Sequence, residues 1–354
     1  MEPQYYLNTY KTEPLTKRIL DLIKGAKTYI KTGNFFFREA AIQEELLNAC
    51  RKGVIVFILS NLRQEENRLV AGNRFSKEEY DPHIPNLMEL VEEGAHVRCV
   101  SELHAKFIIA DGEEGMIMSS NYTHNSLHGN PECGADLSDN DTKYLERVFD
   151  TIFVHADTRL VGRGMKAYTF KFTEDPIQPE IFDNEDTNIV MTLSGKQEKE
   201  GLSGTTNFSE CHIQGIYQEI ADIIDDSDEC VYLAAYSFKS LAKLPLIRNA
   251  IINAANRGVN MNLIYRKDKD LEDSRSQIDK LIQKAPSIHA EGFPENHAKF
   301  LLTEKDGLLF TANIDDTGLL NGFELGIYLN DIQYQQAKDG LIALSKEKEE
   351  IYKQ

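Results

Sequence analysis

The tetrapeptide His-Ala-Lys-Phe occurs twice, at His104 to Phe107 and at His297 to Phe300. In an extended chain residues two apart share a face, so His104 pairs with Lys106 and His297 with Lys299. Each motif is followed by a turn, through Asp111-Gly-Glu-Glu-Gly or through Asp306-Gly307, and then by a returning strand that carries Ser119 and Asn121, or Thr311 and Asn313. A carboxylate comes next at nearly the same remove, Glu132 in Glu-Cys-Gly and Glu324 in Glu-Leu-Gly. This set suits displacement at a phosphodiester. A neutral imidazole attacks phosphorus while the other, protonated, gives its proton to the departing oxygen. Lysines and asparagines supply charge and N–H donors to the non-bridging oxygens of the transition state. Each glutamate is expected to orient its own histidine through the far ring nitrogen. The chemistry needs no metal and no cofactor. One His-x-Lys among nine histidines is weak; recurrence with all its neighbours carries the inference.

The flanking elements that must hold these groups also repeat. In the first half Ile19 to Lys24 reads as a helix, Thr28 to Phe37 as a strand, Glu39 to Lys52 as an amphipathic helix closed by Gly53, and Val54 to Leu59 as a buried strand. The second half repeats the order with Ile216 to Ile224, Cys230 to Phe238, Pro245 to Arg257 closed by Gly258, and Val259 to Tyr265. Strands alternating with helices predict an α/β fold of two duplicated α/β/α sandwich units. The first unit is placed at 1–172, a connection with Pro176, Pro179 and an acidic cluster at 173–204, and the second unit at 205–354. The polar stretch from Asn61 to Glu93 is longer than its counterpart and reads as an inserted lid or helical excursion.

Phe35 and Phe37, with Tyr236 and Phe238, end strands that point at the same cleft. Phe35 and Tyr236 are candidates to stack on substrate, although such aromatics more commonly fill core. Arg38 and Lys239 follow them as candidate phosphate contacts, with a solvated helix start as the alternative. The remaining histidines, His124 and His128 among them, show no metal-ligand spacing and read as loop or surface residues.

Composition narrows the class. The chain has 354 residues, 41% of them apolar, with 39 Lys and Arg against 57 Asp and Glu for a net charge of −18. Such a surface repels polyanions unless basic groups are gathered locally. Five cysteines without a Cys-x-x-Cys pair argue for reduced thiols and a cytoplasmic location. No apolar run approaches a membrane span, so no integral membrane association is expected. The acidic surface leaves open a protein partner or homo-oligomer.

At these residues the sequence resembles the phospholipase D superfamily, whose signature is His-x-Lys, four residues, Asp, then six residues and Gly-Ser-x-Asn. His104, Lys106, Asp111, Ser119 and Asn121 fit that spacing, with Met118 where Gly is usual. The second copy keeps His297 and Lys299 but has Glu304 at the Asp position, a return strand one residue early, and Thr311 and Asn313 in place of the Ser-x-Asn pair. The resemblance implies two units packed about a pseudo-twofold axis with both motifs meeting at their interface, a mainly structural role for Asp111 and Glu304, and a phosphohistidine intermediate resolved by water or an alcohol, with His104 slightly favoured as nucleophile. It points to a metal-independent phosphodiesterase, foremost a nuclease cleaving DNA or RNA, as in stand-alone members that accompany bacterial restriction and defence systems. A nucleic-acid substrate would need Lys106, Lys299, Arg38, Lys239 and some of Arg63, Arg68 and Arg74 to form a local basic groove. The alternatives are a phospholipid hydrolase or transphosphatidylase, and a catalytically decayed phosphate-binding scaffold.

Overall fold

Two sheets carry the same seven-strand core in the same order. The computed structural model describes residues 2–61, 81–100, 103–156, 158–163, 166–171, 182, 186–194, 211–267 and 272–351. In the first sheet β1 (Tyr5–Asn8), β7 (Glu132–Asp136), β6 (Glu114–Met118), β5 (Phe107–Ala110), β2 (Tyr29–Asn34), β3 (Ile55–Ser60) and β4 (His96–Cys99) lie side by side. In the second the order is β10 (Ile189–Ser194), β17 (Gly322–Tyr328), β16 (Gly307–Phe310), β15 (Phe300–Thr303), β12 (Cys230–Ala235), β13 (Asn260–Arg266) and β14 (His289–Phe293). The three strands at the far side of each core run parallel to one another. Beyond β4 the first sheet is extended by the hairpin β8 (Thr158–Arg163) and β9 (Lys166–Lys171), and beyond β10 the second by β11 (His212–Gln214). The fold is therefore a duplicated α/β unit.

The expected elements form with small shifts at their ends. Helix Pro14–Gly25 buries Leu15, Ile19, Leu22 and Ile23, a spacing that lines one face of a helix. Helix Ala40–Arg51 buries Ile42, Leu46 and Leu47, and Pro245–Arg257 buries Ile247, Ala250, Ile251 and Ala254. Gly53 and Gly258 follow these last two helices with φ of 86° and 93°, a left-handed conformation that a side chain would strain.

Two expectations are corrected. Ile189–Ser194 lies within the stretch assigned to the connection 173–204, yet it pairs antiparallel with β17 along its whole length and opens the second sheet as β1 opens the first. Burying its apolar side chains and satisfying its backbone within the sheet outweighs the loop-like flanks. His104 and Lys106 precede β5 rather than lying in it, and Ser119 and Asn121 lie beyond β6. Of the stretch Asn61 to Glu93, residues 62–80 lie outside the described residues; His83–Glu92 is a helix.

One apolar core joins the units. It includes Phe107, Ile117, Cys133 and Phe149 of the first with Phe300, Leu309, Phe323 and Leu325 of the second. Leu103 and Phe323 form a bridge between units, and the carbonyl of Phe323 accepts the amides of His104 at 3.0 Å and Ala105 at 2.8 Å. The amide of His297 donates to the Pro131 carbonyl at 3.0 Å. Each histidine is thus pinned by the backbone of the opposite unit. The C-terminal helix Asp331–Ile351 packs on β1, with Gln336 accepting the Tyr5 amide at 2.7 Å.

β2 also shows how closely the strands beside the motif are fitted. Gly33 faces Phe107, and a Cβ at Gly33 would stand 2.3 Å from the Phe107 ring, which is fully buried against Phe149 and Phe323. Gly33→Ala is expected to destabilise the chain by about 1–3 kcal/mol, read as a lower urea midpoint with an unchanged slope.

Candidate phosphoryl-transfer site

The strand ends place both motifs at the seam between the sheets. His104 Nδ1 lies 2.6 Å from Glu324 Oε1, and His297 Nδ1 lies 2.7 Å from Glu132 Oε1. The pairing is crossed: each glutamate meets the other unit's histidine, not its own. The reason is the path of the strands. Glu132 opens β7 and Glu324 is the third residue of β17, and each directly follows the residue whose carbonyl binds the opposite motif, Pro131 or Phe323. The second oxygen of each carboxylate accepts a hydroxyl, Ser119 on Glu132 and Thr311 on Glu324. Those hydroxyl oxygens in turn accept the amides of Cys133 at 2.9 Å and Leu325 at 3.0 Å. Thr311 therefore does in the second unit what Ser119 does in the first.

Both lysines are fully buried. Lys106 Nζ donates to the His104 carbonyl, and Lys299 Nζ to the His297 carbonyl at 2.9 Å. Burial brings the Lys106 ammonium down to about 7, with Glu324 opposing the shift and Lys299 adding to it. Burial likewise lowers Lys299, against the pull of Glu132. Burial depresses both imidazoles too: His297 falls to about 4 although Glu132 resists, and His104 is lowered although Glu324 resists. Burial would raise the two glutamates, but the facing histidines and lysines hold them below the ordinary carboxylate range. The two ammonium groups balance the two carboxylates. Protonating one imidazole then leaves a single positive charge, the complement of a phosphodiester.

Nδ1 of His104 is hydrogen-bonded to its carboxylate, which leaves Nε2 for a reacting group; at His297 Nδ1 is close to Glu132, and Lys299 Nζ lies 3.3 Å from Nδ1 and 3.4 Å from Nε2. His104 remains 26% exposed at its side chain and His297 12%, so both are reachable from solvent. Asn121 and Asn313 sit at equivalent places. In each, Oδ1 is buried without a hydrogen-bond partner among the described residues, an acceptor that a hydroxyl or water in the cleft would satisfy.

Asp111 and Glu304 stand apart from the reacting groups and do the same structural work. Asp111 accepts the amides of Lys27, Thr28 and Tyr29 at 2.8–2.9 Å and the Thr28 hydroxyl at 2.6 Å. Burial would raise its carboxyl, but these donors hold it at about 2. Glu304 accepts the amides of Asp228 at 2.7 Å and Cys230 at 3.1 Å and is likewise held at about 2 against burial. The longer side chain reaches the same loop amides.

Around the pocket, Phe35 presents its ring edge-on to His104 at 5.5 Å and Tyr236 does so to His297 at 5.2 Å. Phe37 and Phe238 are buried in core. Arg38 is paired with Asp81 and stacked on Phe36, so its charge is already engaged. Lys239 is partly buried beyond β12. Arg63, Arg68 and Arg74 lie outside the described residues. Sequence reasoning passed over Arg266, which stacks on Tyr236 and pairs with Glu295, and Asp315, a largely buried carboxyl raised by burial and by Glu324. Asp315 stands two residues after Asn313, as Thr123 does after Asn121, and both cap the short helix that follows; that parallel was available in the sequence.

Comparison with known proteins agrees with this geometry. Residues 19–153 match the family model described as "Cardiolipin synthase, PLD-like domain". Phosphatidylserine synthase of Haemophilus influenzae Rd KW20 superposes with a TM-score of 0.62 at 12% identity, covering 96% of this chain and 85% of that one. Polyphosphate kinase of Porphyromonas gingivalis gives 0.53 at 12% identity, covering 95% of this chain, which spans about half (49%) of that protein. Nuc of Salmonella typhimurium, titled a phospholipase D family member, gives 0.38 at 19% identity over 46% of this chain and all of its own. A search of curated proteins found no match. Among the described residues no helix is long and apolar enough to cross a membrane.

Proposed function

We propose, from the premise that the chain belongs to the phospholipase D superfamily, that it is a phosphodiesterase working through a phosphohistidine and without a metal in the chemical step. The observation that carries the reading is the crossed pair of His–Glu contacts with two buried lysines at one seam. Lysine is rarely buried without a reason, and we assign both ammonium groups to the non-bridging oxygens of a bound diester.

His297, neutral above about pH 4, is the nucleophile, and the more exposed His104 is the acid. The lone pair of His297 Nε2 forms the P–N bond as the P–O bond to the leaving alcohol breaks. The proton on His104 Nε2 passes to that oxygen. Water then enters, giving its proton back to His104, and its oxygen attacks phosphorus while the P–N bond opens. Glu324 stabilises the His104 imidazolium and Glu132 holds the His297 ring in place, each across the seam.

The substrate we assign first is DNA or RNA, with the chain acting in a reducing compartment such as the cytoplasm. Phe35 and Tyr236 lie one beside each imidazole, and we assign them to stack on the nucleotides flanking the scissile phosphate. Fluorescent single- and double-stranded DNA and RNA should be cut in the presence of a chelator, at a rate that falls steeply with added salt. The family model's own description, a cardiolipin synthase-type domain, favours a second reading, transfer of a phosphatidyl group. Turnover of phosphatidylglycerol vesicles with no cleavage of any nucleic acid would replace the first by the second.

A further inference from the structure

A second cluster of ligand-type side chains lies outside the phosphoryl site, and no step proposed above uses it. Three residues after Asn121 the short helix His124–His128 puts its two histidines one turn apart on one face, ring centroids 4.9 Å from each other. Glu39 is brought to them because the amides of Arg38 and Glu39 both donate to the Tyr122 carbonyl, at 2.7 and 3.0 Å. Its side chain is nearly buried, and its two oxygens face the two rings. Oε2 is 3.5 Å from His124 Nδ1, and Oε1 is 3.6 Å from His128 Nε2. One ligand atom from each of the three residues lies within 4.8 Å of the others.

These separations are too long for good hydrogen bonds. The two carboxylate–imidazole separations, one to each oxygen of Glu39, approach the about 3.3–3.4 Å between ligand atoms that tetrahedral bonds of about 2.0–2.1 Å to zinc impose, and the remaining pair lies within 4.8 Å. The outer contact argues the same way. His128 Nδ1 lies 2.9 Å from Glu13 Oε2, and a proton donated there leaves the lone pair on Nε2, the nitrogen that faces Glu39. A carboxylate that fixes the tautomer of a metal-bound histidine is the usual partner of such a ligand.

We propose that Glu39, His124 and His128 bind a zinc ion, with Glu13 orienting His128 and a fourth position open to water. The ion would tie the start of helix Ala40–Arg51 to the segment that follows Asn121, bracing one wall of the cleft without entering the reaction. The sequence reading dismissed His124 and His128 as loop residues; their spacing of four becomes ligand spacing only once they are seen to share a helix.

The test uses the intact chain, treated with a chelator, desalted, and titrated with Zn²⁺ by calorimetry and with Co²⁺ by absorption. One equivalent of zinc should bind and raise the melting temperature. Cobalt should give visible d–d bands without a thiolate charge-transfer band, which separates this site from the five free cysteines. His124→Ala, whose side chain is 78% exposed and can be lost without harm to folding, should abolish that equivalent. Glu13→Gln should weaken it about 10–100-fold. No binding by the unmodified chain, a thiolate band, or undiminished binding by His124→Ala would each overturn the proposal. These readouts do not depend on the chain being a phosphodiesterase.

Discussion

His297→Asn and His104→Asn should each lower turnover of a nucleic-acid phosphodiester by about 10³-fold or more, and the two should part company on an activated substrate. The leaving group of bis(p-nitrophenyl) phosphate departs without a proton, so His104→Asn, which lacks only the acid, should recover to within about tenfold of the unmodified chain. His297→Asn should not recover, because it lacks the ring that forms the bond to phosphorus. A burst of p-nitrophenol in rapid-quench experiments would mark formation of the phosphoenzyme in His104→Asn. Full turnover by either variant on the nucleic-acid substrate would mean that the two rings do not share one reaction. The opposite asymmetry would move the nucleophile to His104, the residue that family resemblance slightly favours.

The two motif histidines were readable because the sequence states them twice, and the surrounding strands and helices follow a period that any buried sheet and amphipathic helix must show. The partners of those histidines were not. Glu132 and Glu324 recur at fixed distances from their own motifs, so a linear reading joins each to the nearer histidine. Only the seam, where Pro131 and Phe323 offer their carbonyls to the opposite chain segment, exchanges them. Ile189–Ser194 was hidden differently: it has the apolar character of a strand, but proline and acidic residues nearby suggested a linker, and its sheet partner comes more than a hundred residues later. The change from Asp111 to Glu304 departs from the motif at a position to which the resemblance gives a mainly structural role. Both side chains in fact accept loop amides, a task in which one added methylene is absorbed by a small change of reach.

The crossed arrangement makes its own demand on the pH dependence of kcat/KM, which reports the free enzyme. His297 must be neutral to attack, so activity is lost as pH falls through about 4. His104 must carry a proton to release the alcohol, and burial lowers it below the ordinary histidine value of about 6.5. Activity is therefore expected to be greatest between those limits and to fall about tenfold per unit above the alkaline one. Glu324 raises His104 against burial, so Glu324→Gln should move the alkaline limb further down and leave the acid limb in place. It should also cost about 10²–10⁴-fold in rate, since the imidazolium loses its counter-charge and its orientation. Glu132→Gln should do the converse, lowering the acid limb through His297 alone. The residue changed and the residue whose titration moves would then belong to different units, a result that pairing within a unit does not give. If Glu324→Gln displaced the acid limb and spared the alkaline one, either the crossed pairing or the division of roles between the histidines would have to be abandoned, and the proton resonances of the two rings, followed through the same titration, would say which.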